Sequence, residues 1–228
     1  MENKSNTWFV VAAFNEAEVI SKVVSPVIAA GYKVVVVDDH SSDDTFGEAR
    51  RSGAYAVRHP INLGQGASLE TGKKFALNGG ASALVTFDAD GQHRLIDAEL
   101  MLEKLDNNKV DVVLGSRFLG EKAVGISKRK TLLLKLATLY TRLSTGLRVT
   151  DAHNGLRVFS AKAARGVVIK QNGMAHASEI LSLISRLKLS YVEHPVQIIY
   201  SSYSRRKGQR ISNAISILFE LFLGRIIR

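Results

Sequence analysis

The chain has 228 residues, 46% hydrophobic and 23% charged, which is enough for one sizeable α/β core, too little for two full domains, and unlike a disordered polypeptide. It contains no cysteine, so disulfides and thiolate metal sites are excluded and any metal must be held by oxygen or imidazole. The net charge of +10 is unevenly divided, residues 1–120 carrying 12 Lys/Arg against 16 Asp/Glu and residues 121–228 carrying 19 against 5. The front half suits a cation and the rear half an anion. Because the basic residues are interleaved with Leu and Ile and aromatics are few, the charge argues against nucleic acid and for phosphate or an anionic membrane surface.

The first residues lack a basic start, an apolar run and a cleavage site, so no secretory signal is expected and the protein is placed in the cytoplasm. Residues 8–14 read as a strand ending at Asn15-Glu16, and helical spacing through Val19, Ile20, Val23, Val24 and Val27 predicts a helix over 17–30, with Pro26 set to bend or break it. The β-branched run 33–37 predicts a strand buried on both faces, with Asp38 and Asp39 at its carboxyl end. The pattern then repeats as helix 43–52, strand 54–58, helix 66–78, strand 83–87, helix 96–105 and strand 110–114. Strands alternating with helices imply an α/β fold with a mostly parallel sheet, whose ligands bind beyond the carboxyl ends of the strands. Glu16, Asp38, Asp39, Asp88, Asp90 and Arg117 all fall at that edge.

Beyond residue 120 a basic loop containing Lys128-Arg129-Lys130 leads into a leucine-rich helix over 131–143, buried or facing a membrane. Strands over 155–159 and 189–200, with a helix over 175–187 between them, complete the domain at about residue 210. The basic run 205–210 precedes an amphipathic helix over 211–228, too short and too interrupted to cross a bilayer and suited to lipid, a small membrane protein or a second copy.

Asp88-Ala89-Asp90, followed by Gly91-Gln92-His93, is the centre of the chemistry. Two carboxylates one residue apart at a strand end can hold Mg²⁺ or Mn²⁺ and so neutralise a nucleotide diphosphate. Asp38 or Asp39 can accept hydrogen bonds from a base or a ribose, while the residues after them cap the next helix. The glycine loop 62–67 brings Gly66 where its backbone either approaches a nucleotide or only makes a tight turn. Arg117 can clamp a diphosphate bidentately. In the segment 151–157, Asp151 either orients the acceptor or serves as a base, and Arg157 either holds phosphate or pairs with Asp151. His176 and Glu179, one turn apart, extend the site or simply pack.

Five segments, 11–16, 36–41, 62–66, 88–93 and 115–117, occur in the order found in the family-2 glycosyltransferases, and the sequence from 10 to about 210 resembles their dolichyl-phosphate mannosyltransferase and bacterial polyprenyl-phosphate branch. It departs from that pattern at Ala12, where proline is usual, and at His40, where glycine is usual. The resemblance implies a GT-A, Rossmann-like domain over 1–210, with the helix 211–228 as an appendage. It further implies that Ala13, Glu16 and Asp39 line the nucleoside site, with Asp38, Gly66 and Ala89 beside them, and that Asp88, Asp90 and Gln92 bind metal and diphosphate. Arg117 would reach phosphate, and Asp90, Arg117 and Asp151 would carry the catalysis. Arg129, Arg157 and Arg205 are the candidates for the acceptor phosphate. The activity so implied is metal-dependent, inverting transfer of a sugar from a UDP- or GDP-linked donor to a polyprenyl phosphate at the inner face of the membrane. Two alternatives stay open at this point, transfer to a lipid-linked sugar hydroxyl and a non-catalytic nucleotide-sugar-binding subunit of a membrane complex. A nucleotidyltransferase ranks below both, since Phe14-Asn15-Glu16 stands where a glycine-rich basic loop would follow the first strand.

Overall fold

The computed structural model describes residues 4–119, 128–199 and 203. A sheet runs through β1 (Thr7–Ala13), β2 (Lys33–Asp38), β3 (Tyr55–Arg58), β4 (Ala83–Thr86), β5 (Val112–Ser116), β6 (Arg157–Ser160) and β7 (Tyr191–Pro195). Its spatial order is β3-β2-β1-β4-β6-β5-β7. All neighbours are parallel except β6, which lies antiparallel between β4 and β5. This reversal matters for the site. The amino-terminal residue of β6, Arg157, pairs with Thr86 on one side and Leu114 on the other, so it joins the edge where the parallel strands end.

Alternation along the central strands divides the core into two layers. Phe9, Val11, Val34, Val36 and Val85 face α1 (Ile20–Ala29), α2 (Thr45–Arg51) and α4 (Leu95–Asn108), contributing to one cluster with Ile20, Val24, Met101 and Leu105. Trp8, Val10, Val35, Val37 and Leu84 turn the other way, toward α3 (Gln65–Asn78), α6 (Ala161–Gly166) and α7 (His176–Arg186), with Leu69, Ala164, Ile180 and Ile184 opposite them. The first helix begins at Ile20 rather than at residue 17, because the Glu16 carbonyl accepts from the N–H groups of Val19 and Ile20 at 3.0 and 2.9 Å and closes the preceding turn. Pro26 does not break it, since the proline lies on the exposed face while Val23, Val24 and Val27 carry the packing. Of the segment expected as a strand over 189–200, the described residues are regular only in β7, and α6 was not anticipated: six residues give too little periodicity to read, although Ser160 caps it by accepting from the Ala163 N–H at 3.1 Å.

The leucine-rich helix, α5 (Lys128–Thr145), does not bury its leucines. Ala137, Thr138 and Thr141 turn inward, whereas Leu132, Leu136, Leu139 and Leu143 are 60%, 53%, 51% and 80% exposed at helical spacing along one face. No helix among the described residues is long and apolar enough to cross a membrane.

Candidate active site

The floor of the site is a set of turns that hold one another. Asn15 has a left-handed backbone, φ +55°, and its side-chain oxygen accepts from Ser42 N–H at 2.8 Å while its own N–H donates to Ser41 Oγ at 2.9 Å. Thr45 Oγ1 accepts from Glu16 N–H at 2.8 Å and Asp43 Oδ2 from Ala17 N–H at 3.1 Å, so the loop after β1 is laced to the loop after β2. His40, where the related pattern has glycine, takes φ +64°, a conformation glycine adopts without steric cost.

Asp39 sits inside this lattice, 4% exposed. Its carboxylate accepts from Leu63 and Gly64 N–H at 2.9 and 2.7 Å and pairs with His59 Nδ1 at 2.8 Å. Burial works to raise its pKa, but the His59 hydrogen bond and the two backbone donors outweigh it and hold the carboxyl below its ordinary value. Asp38 is likewise turned inward, accepting from Ser41 N–H at 3.0 Å and facing Arg58 Nε at 3.1 Å. The glycine loop is clamped in turn. Gly64 has φ +101°, and the Gly66 N–H donates to the Asn172 carbonyl at 2.7 Å, an approach so close that a Cβ on Gly66 would lie 2.0 Å from the Gln171 carbonyl oxygen. Ala13 and Ala89 are core residues at 2% and 4% exposure. The structure therefore buries Ala13, Glu16, Asp38, Asp39, Gly66 and Ala89, and leaves Asp88, Asp90 and Gln92 partly exposed.

Asp88 and Asp90 form its acidic centre. Asp88 Oδ2 pairs with His93 Nε2 at 2.8 Å, and burial, which would raise this carboxyl, is outweighed by His93, His176 and Arg157, which hold it low. Asp90 goes the other way. Burial and the Asp88 charge, with a smaller contribution from Glu16, push it up to about 6, although it accepts from Gln92 N–H at 3.1 Å and from the Gln92 side-chain amide. Two neighbouring carboxylates, one of them reluctant to ionise, make a negative field that a cation would relieve. Gly155 shapes the seat for Asp88, since a Cβ there would stand 2.5 Å from Asp88 Oδ2. Among the described residues no group of three or more His, Asp or Glu gathers around one point. Two carboxylates nonetheless fit Mg²⁺ or Mn²⁺, which commonly completes its shell with phosphate oxygens and water.

Asp151 and Arg117 are bound to each other, Arg117 Nε donating to Asp151 Oδ2 at 2.6 Å and Nη2 to Oδ1 at 2.8 Å, with the Arg117 N–H adding a third bond at 3.1 Å. Burial would raise the Asp151 carboxyl, but the Arg117 charge and its hydrogen bonds hold it below the ordinary range. Arg157 does not pair with Asp151. It is buried, its Nη2 donates to the carbonyls of Ala152 and Ala177 at 3.3 and 3.2 Å, and burial brings it down to about 10, still cationic at neutral pH. His153 and His176 are both lowered to about 4, first by burial, and so are neutral imidazoles. His176 Nδ1 meets the Gly173 carbonyl at 2.8 Å, whereas both ring nitrogens of His153 and Nδ2 of Asn154 are buried without a hydrogen-bond partner among the described residues. Glu179 accepts from Lys170 and Gln171 N–H at 3.0 and 2.8 Å and so serves the loop rather than the opening.

Three participants have roles that sequence spacing does not reveal. His93 follows the acidic pair but could not be aimed at Asp88 from spacing alone. Glu193, on β7, accepts from Thr150 N–H at 2.7 Å and from Thr150 Oγ1 at 3.0 Å and thereby fixes the turn that carries Asp151. Tyr203 donates its hydroxyl to Glu16 Oε2 at 2.6 Å from a point 187 residues further along the chain. Arg205 and the helix expected over 211–228 lie outside the described residues, and Arg129 is located only as part of α5.

A mostly parallel sheet with one reversed strand, carrying an acidic pair and two arginines at its carboxyl edge, is the layout of a GT-A glycosyltransferase. The profile of Glycosyl transferase family 2 matches residues 8–167, and the chain belongs to that family. It is 30% identical to the UDP-N-acetylglucosamine--dolichyl-phosphate N-acetylglucosaminyltransferase of Methanococcus voltae over 95% of this chain and 94% of that one. It is 29% identical to the undecaprenyl-phosphate mannosyltransferase of Micrococcus luteus, over 73% of this chain and 71% of the relative. Among solved structures, the glucosyl-3-phosphoglycerate synthase of Mycobacterium tuberculosis in complex with Mn²⁺ and UDP-glucose shares the fold, with a TM-score of 0.68 at 20% identity over 94% of this chain and 78% of that one.

Proposed function

We propose that this glycosyltransferase moves a sugar from a UDP- or GDP-linked donor to a polyprenyl phosphate at the cytoplasmic face of a membrane, with inversion at the anomeric carbon. The observation that carries the acceptor class is the Asp151–Arg117 pair. A hydroxyl acceptor needs a base to take its proton, and the carboxylate that the segment 151–157 offers for that role is Asp151. That carboxylate is spent on a bidentate arginine and is less basic than an ordinary aspartate. A phosphomonoester is already an anion and needs no base. Its oxygen forms the new bond to the anomeric carbon as the bond from that carbon to the nucleotide diphosphate breaks, the electron pair leaving with the nucleotide.

Asp88 and Asp90 would hold Mg²⁺ or Mn²⁺, which when bound neutralises the diphosphate and stabilises its departure. The residues around them do the rest. Arg117, fixed by Asp151, sets positive charge beside the phosphates, buried Arg157 adds a second cation whose field reaches Asp88, and Glu16 offers an acceptor to the nucleoside. The exposed stripe of Leu132, Leu136, Leu139 and Leu143 on α5, flanked by exposed Lys135 and Arg142, suits insertion into the surface of an anionic bilayer. Arg129 at the start of that helix and Arg205 are the further candidates for the acceptor phosphate. The names of the two polyprenyl-phosphate relatives point the same way.

The test is a transfer assay in which a panel of UDP- and GDP-sugars is offered with a polyprenyl phosphate or with a lipid-linked sugar bearing only hydroxyl acceptors, with and without EDTA. Chelator-sensitive product on the phosphate alone is expected. Efficient transfer to the hydroxyl acceptor, with none to the phosphate, would overturn the reading.

A further inference from the structure

After β7 the described residues are hydrogen-bonded to the loops that carry the candidate site. The Val196 N–H donates to the Ser116 carbonyl at 3.0 Å, and Gln197 is held between Asp97, which accepts its N–H at 3.1 Å, and Arg94, which donates to its side chain at 2.6 Å. The Ile199 N–H then donates to the Gln92 carbonyl at 2.9 Å, and four residues later the Tyr203 hydroxyl meets Glu16 Oε2 at 2.6 Å and the Asn15 carbonyl at 3.4 Å. Ile199 thus meets the residue beside the acidic pair, and Tyr203 meets Glu16.

We propose that Tyr203 is a positioning residue of the donor site, holding the Glu16 carboxylate in the orientation that receives the nucleoside; this rests on the reading of Glu16 given above. Glu16 is 6% exposed, and a glutamate side chain has three rotatable bonds. Its backbone is fixed, the N–H by Thr45 Oγ1 and the carbonyl by the start of α1. A charge-assisted hydrogen bond from a phenol turns that fixed backbone into a fixed carboxylate. Burial and the neighbouring Glu16 carboxylate push the Tyr203 phenol well above its usual range, so the proton remains in place to be donated throughout the neutral and mildly alkaline range.

The experiment measures binding of UDP, GDP and inorganic pyrophosphate, each with Mg²⁺, to the full chain as wild type, Tyr203→Phe, Glu16→Gln and the double variant. Tyr203→Phe is expected to weaken whichever nucleoside diphosphate binds the wild type by about fivefold while leaving pyrophosphate affinity unchanged. Glu16→Gln should weaken the nucleotide at least as much, and the double variant should lie close to Glu16→Gln alone, because the short bond of the Tyr203 hydroxyl is the one to Glu16 and its contact with the Asn15 carbonyl is the longer at 3.4 Å. If Glu16→Gln loses nucleotide affinity and Tyr203→Phe does not, the role of Tyr203 is wrong and that of Glu16 stands. If neither loses affinity, the nucleoside reading of Glu16 falls and takes this proposal with it. Equal weakening of nucleotide and pyrophosphate by Tyr203→Phe would also overturn it, since the tyrosine would then support the whole mouth of the site.

Discussion

Replacing Asp90 with asparagine separates the chemistry of the acidic pair from its cost to the fold. In the metal-free protein this carboxyl rises from its ordinary 3.8 to about 6 through burial and the charge of Asp88. Such a rise corresponds to roughly 3 kcal/mol of unfavourable interaction in the ionised form, of which about 2 kcal/mol survives screening at this half-buried position. The folded pKa lies above the unfolded one, so the folded state holds the extra proton. Stability is therefore lost as pH rises from about 4 to 6, and the loss is constant above that window. Asparagine keeps the shape and an oxygen for the Gln92 N–H but has no charge to bury. At pH 8 in EDTA, Asp90→Asn should be about 2 kcal/mol more stable than wild type in urea unfolding, equivalent to a melting temperature about 4–8 °C higher. The advantage should vanish by pH 4. With Mg²⁺ and nucleotide the order reverses, wild type gaining stability that the variant does not, and transfer by the variant should fall about a hundredfold or more. A variant no more stable than wild type at pH 8 in chelator would refute the claim that the two carboxylates repel in the absence of a cation.

Asp151→Asn leaves the partly buried Arg117 uncompensated and is expected to cost about 3 kcal/mol in denaturant unfolding, with partial recovery in Asp151→Asn/Arg117→Met; full additivity of the two changes would show that the pair is not coupled. Gly155→Ala puts a methyl group 2.5 Å from Asp88 Oδ2 and should lower metal-dependent nucleotide affinity about tenfold or more with circular dichroism unchanged. Unchanged affinity would mean that Asp88 can move without consequence. Leu136→Gln/Leu139→Gln, at positions 53% and 51% exposed, should float less with anionic liposomes and melt within a degree or two of wild type; a large loss of stability instead would mean that these leucines pack against protein.

The fold was legible wherever burial leaves a pattern. The unbroken β-branched run of β2 and the spacing of Ile20, Val23, Val24 and Val27 in α1 are direct consequences of which faces lose water. Strand direction leaves no such trace. Four residues of β6 read the same in either sense, and only the fold shows that the reversal delivers Arg157 to the edge where Asp88 sits. The site divides in the same way. That acidic residues and arginines would meet at the carboxyl edge follows from their places at strand ends, but how their charges are shared depends on partners far apart in sequence. Arg117 finds Asp151 34 residues away, and the nearer candidate, Arg157, turns instead to backbone carbonyls. Asp39 looks in the sequence like a residue for a ligand, yet its carboxylate is filled by Leu63, Gly64 and His59. The distinction has a chemical consequence. Carboxylates whose oxygens are satisfied by arginine or backbone donors, as in Asp39 and Asp151, are held low in pKa and act as fixed anchors. Asp90, raised first by burial and then by the charge of Asp88, is held high and has the most to gain from a cation. Catalytic sensitivity should therefore follow the direction of the pKa shift: charge removal at Asp90 should cost activity and relieve the fold, and charge removal at Asp151 should weaken the fold first.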